Sequence, residues 1–215
     1  MKIVLVASTQ FEIEPFLKEK RHMDVLITGV GIASATYYLT KKLLHHHYDL
    51  VIQAGVAGLF SNATGVDLPQ LTEVVAVSKD VFGDLGAYEG GQMKSVNDLK
   101  LSNDFEWIRN ETSLLHKLPY KKVKGITVNT VTDDQEIIGA LEQKWNAVVE
   151  SMEGAALHFV CTEKEIPFIQ LRSTCNYVGE RDKTKWHLSA AIENLNEAIS
   201  QTIEIAGRKV PQAVH

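Results

Sequence analysis

Two hydrophobic rhythms take turns along this chain. Short apolar runs rich in β-branched residues predict strands at 2–7 (KIVLVA), 24–30 (DVLITGV), 49–58 (DLVIQAGVAG) and 72–82 (TEVVAVSKDVF). Three more follow at 124–132 (KGITVNTVT), 147–152 (AVVESM) and 167–173 (PFIQLRS). Between them, segments 11–20, 32–47, 133–145, 153–165 and 186–207 carry helical patterns. In the second of these, Ala35, Tyr38, Leu39 and Leu43 keep the i, i+3, i+4 spacing of a helix. The helix at 133–145 opens with acids, where the helix dipole favours negative charge. Residues 84–118 have the weakest pattern, with GDLGAYEGGQ (83–92) expected as a loop.

Strands separated by helices predict βαβ units: an α/β fold with a mixed or parallel sheet and helices on both faces. No linker, repeat or low-complexity segment interrupts the pattern, so 1–215 reads as a single domain. In such sheets ligands bind at the carboxyl ends of the strands. The residues with chemical potential sit there: Gly29–Gly31, Gly55–Gly58, Glu150–Glu153 and Arg172–Asp182.

Composition narrows the function. Of 215 residues, 45% are apolar and 23% charged, an ordinary soluble balance. The net charge of −5 argues against a nucleic-acid partner. The short basic cluster Lys121, Lys122 and Lys124 reads as a solvated face. Two cysteines, Cys161 and Cys175, have no metal-ligand spacing, and His45–His47 point around a helix, so neither a metal nor any other cofactor is expected. No stretch approaches the ~20 apolar residues of a membrane span, and the chain enters a strand at once; a cytoplasmic protein is expected.

Four clusters can carry chemistry, each with a structural alternative. TGVG (28–31) has Gly-x-Gly after a strand, but Ser34 replaces the third glycine of a dinucleotide fingerprint. Asp49 begins a strand rather than ending one. A tight strand-to-helix turn fits better, with backbone N–H groups free for an anion or hydroxyl. AGVAG (54–58) reads as a small-residue turn that admits a flat ligand or simply packs. In ESMEGAA (150–156), a carboxylate at the strand-to-helix corner could accept hydrogen bonds from a ribose diol, or merely favour the helix N-terminus. Thr9 and Glu12 fit a capping box, and Glu12 also follows the first strand. Arg172 ends a buried strand and needs a partner; Asn176 suits a heterocycle edge or turn chemistry.

Together TGVG, AGVAG, SMEGAA and the R-x-x-x-N strand end resemble the purine nucleoside phosphorylase and nucleosidase superfamily over nearly the whole chain. FGDLGAYEG (82–90), VNTVT (128–132) and NYVGERDKTKW (176–186) are similar to its futalosine hydrolase subgroup. The resemblance implies a three-layer α/β/α sandwich around a twisted mixed sheet, a homodimer or higher homo-oligomer, and N-glycosidic cleavage of a purine nucleoside in menaquinone biosynthesis. By position, Met152 and Glu153 resemble the ribose-binding pair and Glu12 the carboxylate that deprotonates the attacking water. Gly55, Val56, Ala57 and Gly58 would face the base, Arg172 would support the strand end, and Asp182 would join the substrate-binding residues. Asn176 falls where adenine-specific nucleosidases carry Asp. A carboxylate would repel O6 of a 6-oxopurine, whereas an amide N–H can donate to it, so Asn176 predicts hypoxanthine as the leaving base.

Asn is no strong acid, which leaves the proton donor open between water and a group such as Asp182. ASTQFEIEP lacks the arginine of a phosphate site, and Glu12 and Glu14 would repel a dianion, so water is the expected nucleophile. Phe82 and Tyr88 are candidates for contact with the 5′ substituent. A methylthioadenosine or other purine nucleosidase, a phosphorylase, and a non-catalytic nucleoside-binding module remain the alternatives.

Overall fold

The computed structural model describes residues 1–19, 23–65, 67–102 and 106–208; residue 20, the last of the first predicted helix, lies outside them. The strands are β1 (Ile3–Ala7), β2 (Asp24–Ile27), β3 (Leu50–Leu59), β4 (Val74–Asp80), β5 (Gly86–Glu89), β6 (Gln92–Ser95), β7 (Ile108–Arg109), β8 (Lys121–Thr127), β9 (Val149–Ser151) and β10 (Phe168–Tyr177). The α-helices are α1 (Glu14–Lys18), α2 (Ile32–His45), α3 (Gln135–Trp145), α4 (Gly154–Glu163) and α5 (Leu188–Gly207). Every strand and helix read from periodicity is present, with ends shifted by a few residues. Among the described residues, no helix is long and apolar enough to cross a membrane.

The large sheet is mixed, in the order β10-β4-β8-β9-β3-β1-β2, with β7 on β4. Strand β3 explains its shape. It outruns β1, pairing with it only over Leu50–Gln53, and then pairs with β9 at Gly58 and Leu59. Its other edge pairs with β10 from Val51 to Leu59. That extra ladder closes β3, β10, β4, β8 and β9 into a ring whose inside is packed by Ala57, Leu59, Val75, Val77, Val123 and Val149.

Alternation puts the two faces of the sheet under different helices. Leu5, Ile52, Ala76, Ile169 and Leu171 pack with Phe16 of α1 and Leu195 and Ile199 of α5. Val4, Val6, Val51 and Phe168 pack with Leu39 and Leu43 of α2 and Leu157 and Val160 of α4. The result is the α/β/α layering expected from the sequence. Full burial of one Leu or Ile side chain stabilises by roughly 1.5–3 kcal/mol, so each of these interfaces contributes substantially to cohesion.

Three expectations need correcting. AGVAG is not a turn: it lies inside β3, paired with β10 along one edge and, at Gly58, with β9 across the other, and the pairing decides its conformation. GDLGAYEGGQ is not a loop: it holds β5 and the start of β6, joined by Gly90–Gly91, a dipeptide suited to a tight hairpin. Lys121, Lys122 and Lys124 do not form a free solvated face. They lie in β8, and their ammonium groups reach Leu68 O, Leu118 O and Trp145 O at 3.0, 2.5 and 3.3 Å.

Candidate active site

A cavity of about 420 Å³ opens at the carboxyl ends of β1, β3 and β10, a size suited to a small molecule. Glu12, Val56, Ala57, Gly58, Met152, Glu153 and Asn176 line it. Residues far apart in the chain therefore converge as the strand-end argument predicts. Gly55, Arg172 and Asp182 are not among the lining residues.

Glu12 follows β1 on a 3₁₀ turn and is buried. Thr9 donates to its Oε2 from N at 3.1 Å and from Oγ1 at 2.9 Å. These bonds give the capping-box reading its substance. The other oxygen, Oε1, accepts from Val56 N at 3.1 Å. The carboxylate is thus fixed to both β1 and β3 at the cavity wall. Glu14, by contrast, is exposed and pairs with Lys18 at 3.2 Å.

Glu153 begins α4 yet makes no side-chain bond to its own helix N-terminus. Instead Oε1 accepts from Gly31 N at 3.0 Å, so the N–H of the TGVG turn holds a protein carboxylate. Oε2 lies 3.7 Å from Arg172 Nη1, with both side chains buried. Arg172 also donates to Gln53 Oε1 at 3.1 Å and Val56 O at 3.4 Å. It sits behind the wall and steadies Glu153. This needs glycine at 55: a Cβ there would lie 2.5 Å from Arg172 Nη1 and 3.0 Å from Glu12 Oε1. Gly55 therefore acts by leaving room, and Arg172 through Glu153.

The corner at 151–155 rests on a buried polar network. Thr127 Oγ1 accepts from Ala155 N at 2.7 Å and donates to Asp80 Oδ1 at 3.0 Å, while Ser151 Oγ accepts from Gly154 N at 3.2 Å. Burial pushes the Asp80 carboxyl up to about 6, against the hydrogen bond from Thr127. A Cβ on Gly154 would overlap both Asp80 Oδ2 and the Gln170 amide. Gly154→Ala should therefore lower stability by about 1–3 kcal/mol, because overpacking outweighs the gain of about 1 kcal/mol in helix propensity. A thermal melt checks this; an unchanged or higher Tm refutes the close packing.

Asn176 lies near the end of β10, which runs four residues past its expected end at Ser173, with a register shift between Thr174 and Asn176. Its Nδ2 donates to Tyr177 O at 2.8 Å and its Oδ1 accepts from Cys175 Sγ at 3.0 Å. One N–H and one lone pair are left for a ligand. The loop beyond is tied down locally. Asp182 accepts from Thr184 N at 3.0 Å, Lys185 pairs with Glu180 at 2.9 Å, and Trp186 Nε1 donates to Glu180 O at 3.0 Å. Asp182 is thereby turned to its own loop, and those hydrogen bonds hold its carboxyl below the usual range, which suits it poorly to donate a proton. Arg181, Lys183 and Trp186 reach the cavity instead.

Phe82 packs on Phe159, and Tyr88 lies half-exposed on the β5–β6 hairpin; neither lines the cavity. Phe11, Val131, Thr132 and Trp186 also line the cavity; the sequence places them in predicted elements and motifs, but no pattern there marks their side chains as facing a ligand. The sequence pattern gives Glu150 no role of its own.

The sequence pattern of the phosphorylase superfamily matches residues 10–209. The chain belongs to that superfamily. Among curated superfamily relatives, futalosine hydrolase of Thermus thermophilus is 28% identical over 188 residues, 85% of this chain and 81% of its own. That of Acidothermus cellulolyticus is 29% identical over 185 residues, 82% of this chain and 73% of its own. Solved structures share the fold at lower identity. Futalosine hydrolase of Helicobacter pylori strain 26695 gives a TM-score of 0.77 at 18% identity, covering 95% of this chain and 97% of that one. The 5′-methylthioadenosine/S-adenosylhomocysteine nucleosidase of Neisseria meningitidis, in complex with methylthio-immucillin-A, gives 0.78 at 15%, covering 94% and 98%. The phosphorylase-superfamily fold thus frames a cavity with two carboxylates fixed by backbone N–H groups and an amide at one strand end.

Proposed function

We propose that this protein hydrolyses the N-glycosidic bond of futalosine, releasing hypoxanthine and dehypoxanthine futalosine, as a step of menaquinone biosynthesis. The observation that carries the reading is the convergence of Glu12, Glu153 and Asn176 on one cavity. The curated relatives named futalosine hydrolase support the choice of substrate.

Glu153 grips the ribose 2′- and 3′-hydroxyls, and its negative charge faces the oxocarbenium-like sugar as the C1′–N9 bond stretches. Met152 packs beside the sugar. Glu12 orients the water and accepts its proton. The backbone at Val56, Ala57 and Gly58 offers the purine a flat wall. Asn176 donates an N–H to O6 and presents its carbonyl to N7–H as the base leaves. A well-placed donor of this kind is worth about 2.7–4 kcal/mol in the transition state. The protein works as a homo-oligomer in the cytoplasm and needs no cofactor.

The test is a chromatographic assay of purified protein with futalosine, methylthioadenosine, S-adenosylhomocysteine and inosine, each with and without phosphate. Hypoxanthine from futalosine, independent of phosphate, is expected. Adenine from methylthioadenosine in its place overturns the substrate, and a requirement for phosphate overturns hydrolysis. Asn176→Asp should shift the ratio of hypoxanthine to adenine specificity towards adenine by about tenfold or more, because a carboxylate repels O6 and accepts from a 6-amino group. An unchanged ratio of kcat/KM values refutes this account of Asn176.

A further inference from the structure

Glu150 is the one cavity-lining carboxyl without a role in the mechanism above. It lies on β9 and is 94% buried, being 6% exposed, although it lines the cavity. Its Oε2 is buried and has no hydrogen-bond partner. The register of the sheet fixes its neighbours: Glu150 pairs with Gly58 across one edge of β3, and Asn176 pairs with Gly58 across the other. The carboxyl and the amide therefore flank the same glycine at the same level of the cavity floor. A buried, unpartnered carboxylate is costly, and a buried carboxylic acid is far less so.

We propose that Glu150 is the acid that protonates the departing purine. The inference rests on the nucleoside-hydrolysis reading and supplies the proton donor that reading lacks. Asn176 cannot release a proton, and Asp182 is turned away from the cavity. In the reaction, water adds its oxygen to C1′ and yields a proton to Glu12. The C1′–N9 electron pair leaves with the purine, and a ring nitrogen takes the proton from Glu150. Glu12 and Glu150 then exchange protons with solvent, which restores both.

The charged groups that act on Glu150 are Asp84, from the loop after β4, and Arg181, from the loop after β10. Burial pushes its carboxyl up to about 7; the negative charge of Asp84 adds to the rise and Arg181 opposes it. A group held near neutrality is both protonated and able to give the proton away. The acid form is needed, so activity should fall as pH rises above about 7.

The experiment compares two leaving groups. A purine nucleoside that the wild type cleaves needs protonation; 4-nitrophenyl β-D-ribofuranoside releases a stable phenolate and does not. Glu150→Gln should lower kcat for the purine nucleoside about 100-fold and leave nitrophenol release within about threefold. The alkaline fall in kcat should appear in the wild type with the purine substrate only, and vanish in the variant. Equal losses on both substrates, or a wild-type kcat for the purine that is flat from about pH 6 to 9, overturn the proposal. The wild-type comparison stands even if the variant does not fold. Cleavage of purine nucleosides with an unaffected variant sinks this proposal alone; no cleavage of any purine nucleoside by the wild type sinks the hydrolytic reading with it.

Discussion

Replacing Glu153 by glutamine should reduce kcat for nucleoside hydrolysis by about a thousandfold or more, the largest effect expected at any position. Two losses combine. The amide has no charge to set against a sugar that becomes cationic in the transition state. It also offers one acceptor oxygen where the carboxylate offers two, and both are engaged by protein: Oε1 by Gly31 N and Oε2 by Arg172 Nη1. Rotating the amide to keep one contact breaks the other. Arg172 is buried, and a buried charge stripped of its partner is destabilising, so some loss of Tm is expected as well. Stability alone could therefore mimic a catalytic effect. Substrates lacking the 2′- or 3′-hydroxyl separate the two. If Glu153 binds the diol, removing a hydroxyl slows the wild type strongly and the variant little. Equal slowing in both proteins, or near-normal turnover by the variant, refutes the ribose role.

The second large effect is expected at Glu12. Its carboxylate receives three donors, from Thr9 N, Thr9 Oγ1 and Val56 N, and has no cationic partner within the ion-pair contacts found among the described residues. Glu12→Gln keeps the shape but cannot accept the proton of an attacking water, and general-base catalysis is worth about 10²–10⁴-fold. A fall in kcat of that order, with KM little changed, is expected. The capping-box reading predicts a different outcome. There the amide NH2 would be forced against backbone donors, costing about 1–3 kcal/mol of stability, while activity per folded molecule stays the same. Measuring kcat and Tm on the same preparation decides between them. Unchanged kcat with lowered Tm leaves Glu12 a structural residue.

These two carboxylates also show how the site is distributed. Glu12 is tied to β3 through Val56, and Glu153 is tied to the start of α2 through Gly31. Arg172, reaching from β10, contacts Glu153, Gln53 and the carbonyl of Val56. The site is thus held by the same strand ladders that hold the sheet. Its geometry is set by rigid elements, the condition for placing charge ahead of a transition state.

Periodicity alone determined a large part of this protein. Apolar runs and amphipathic helices are local signals, and burial on a sheet face imposes them residue by residue, so β1, β3, β10, α2 and α5 are all legible. The strand-end rule points to Glu12, Glu153 and Asn176, and all three line one cavity, since side chains at carboxyl ends of neighbouring strands converge. Tertiary structure decided the rest. AGVAG resembles a turn because small residues favour turns, and only its partners β10 and, at Gly58, β9 make it strand. Its Gly55 is explained by a guanidinium distant in sequence. The carboxylate of Glu153 is oriented by a helix N-terminus 122 residues away in the chain. Asp182 and Glu150 illustrate the limit most plainly. Both are acids near a strand end, yet local capping turns one to its own loop while the closed ring buries the other at the cavity floor. Burial and facing are properties of the packed ring, and no local pattern encodes them.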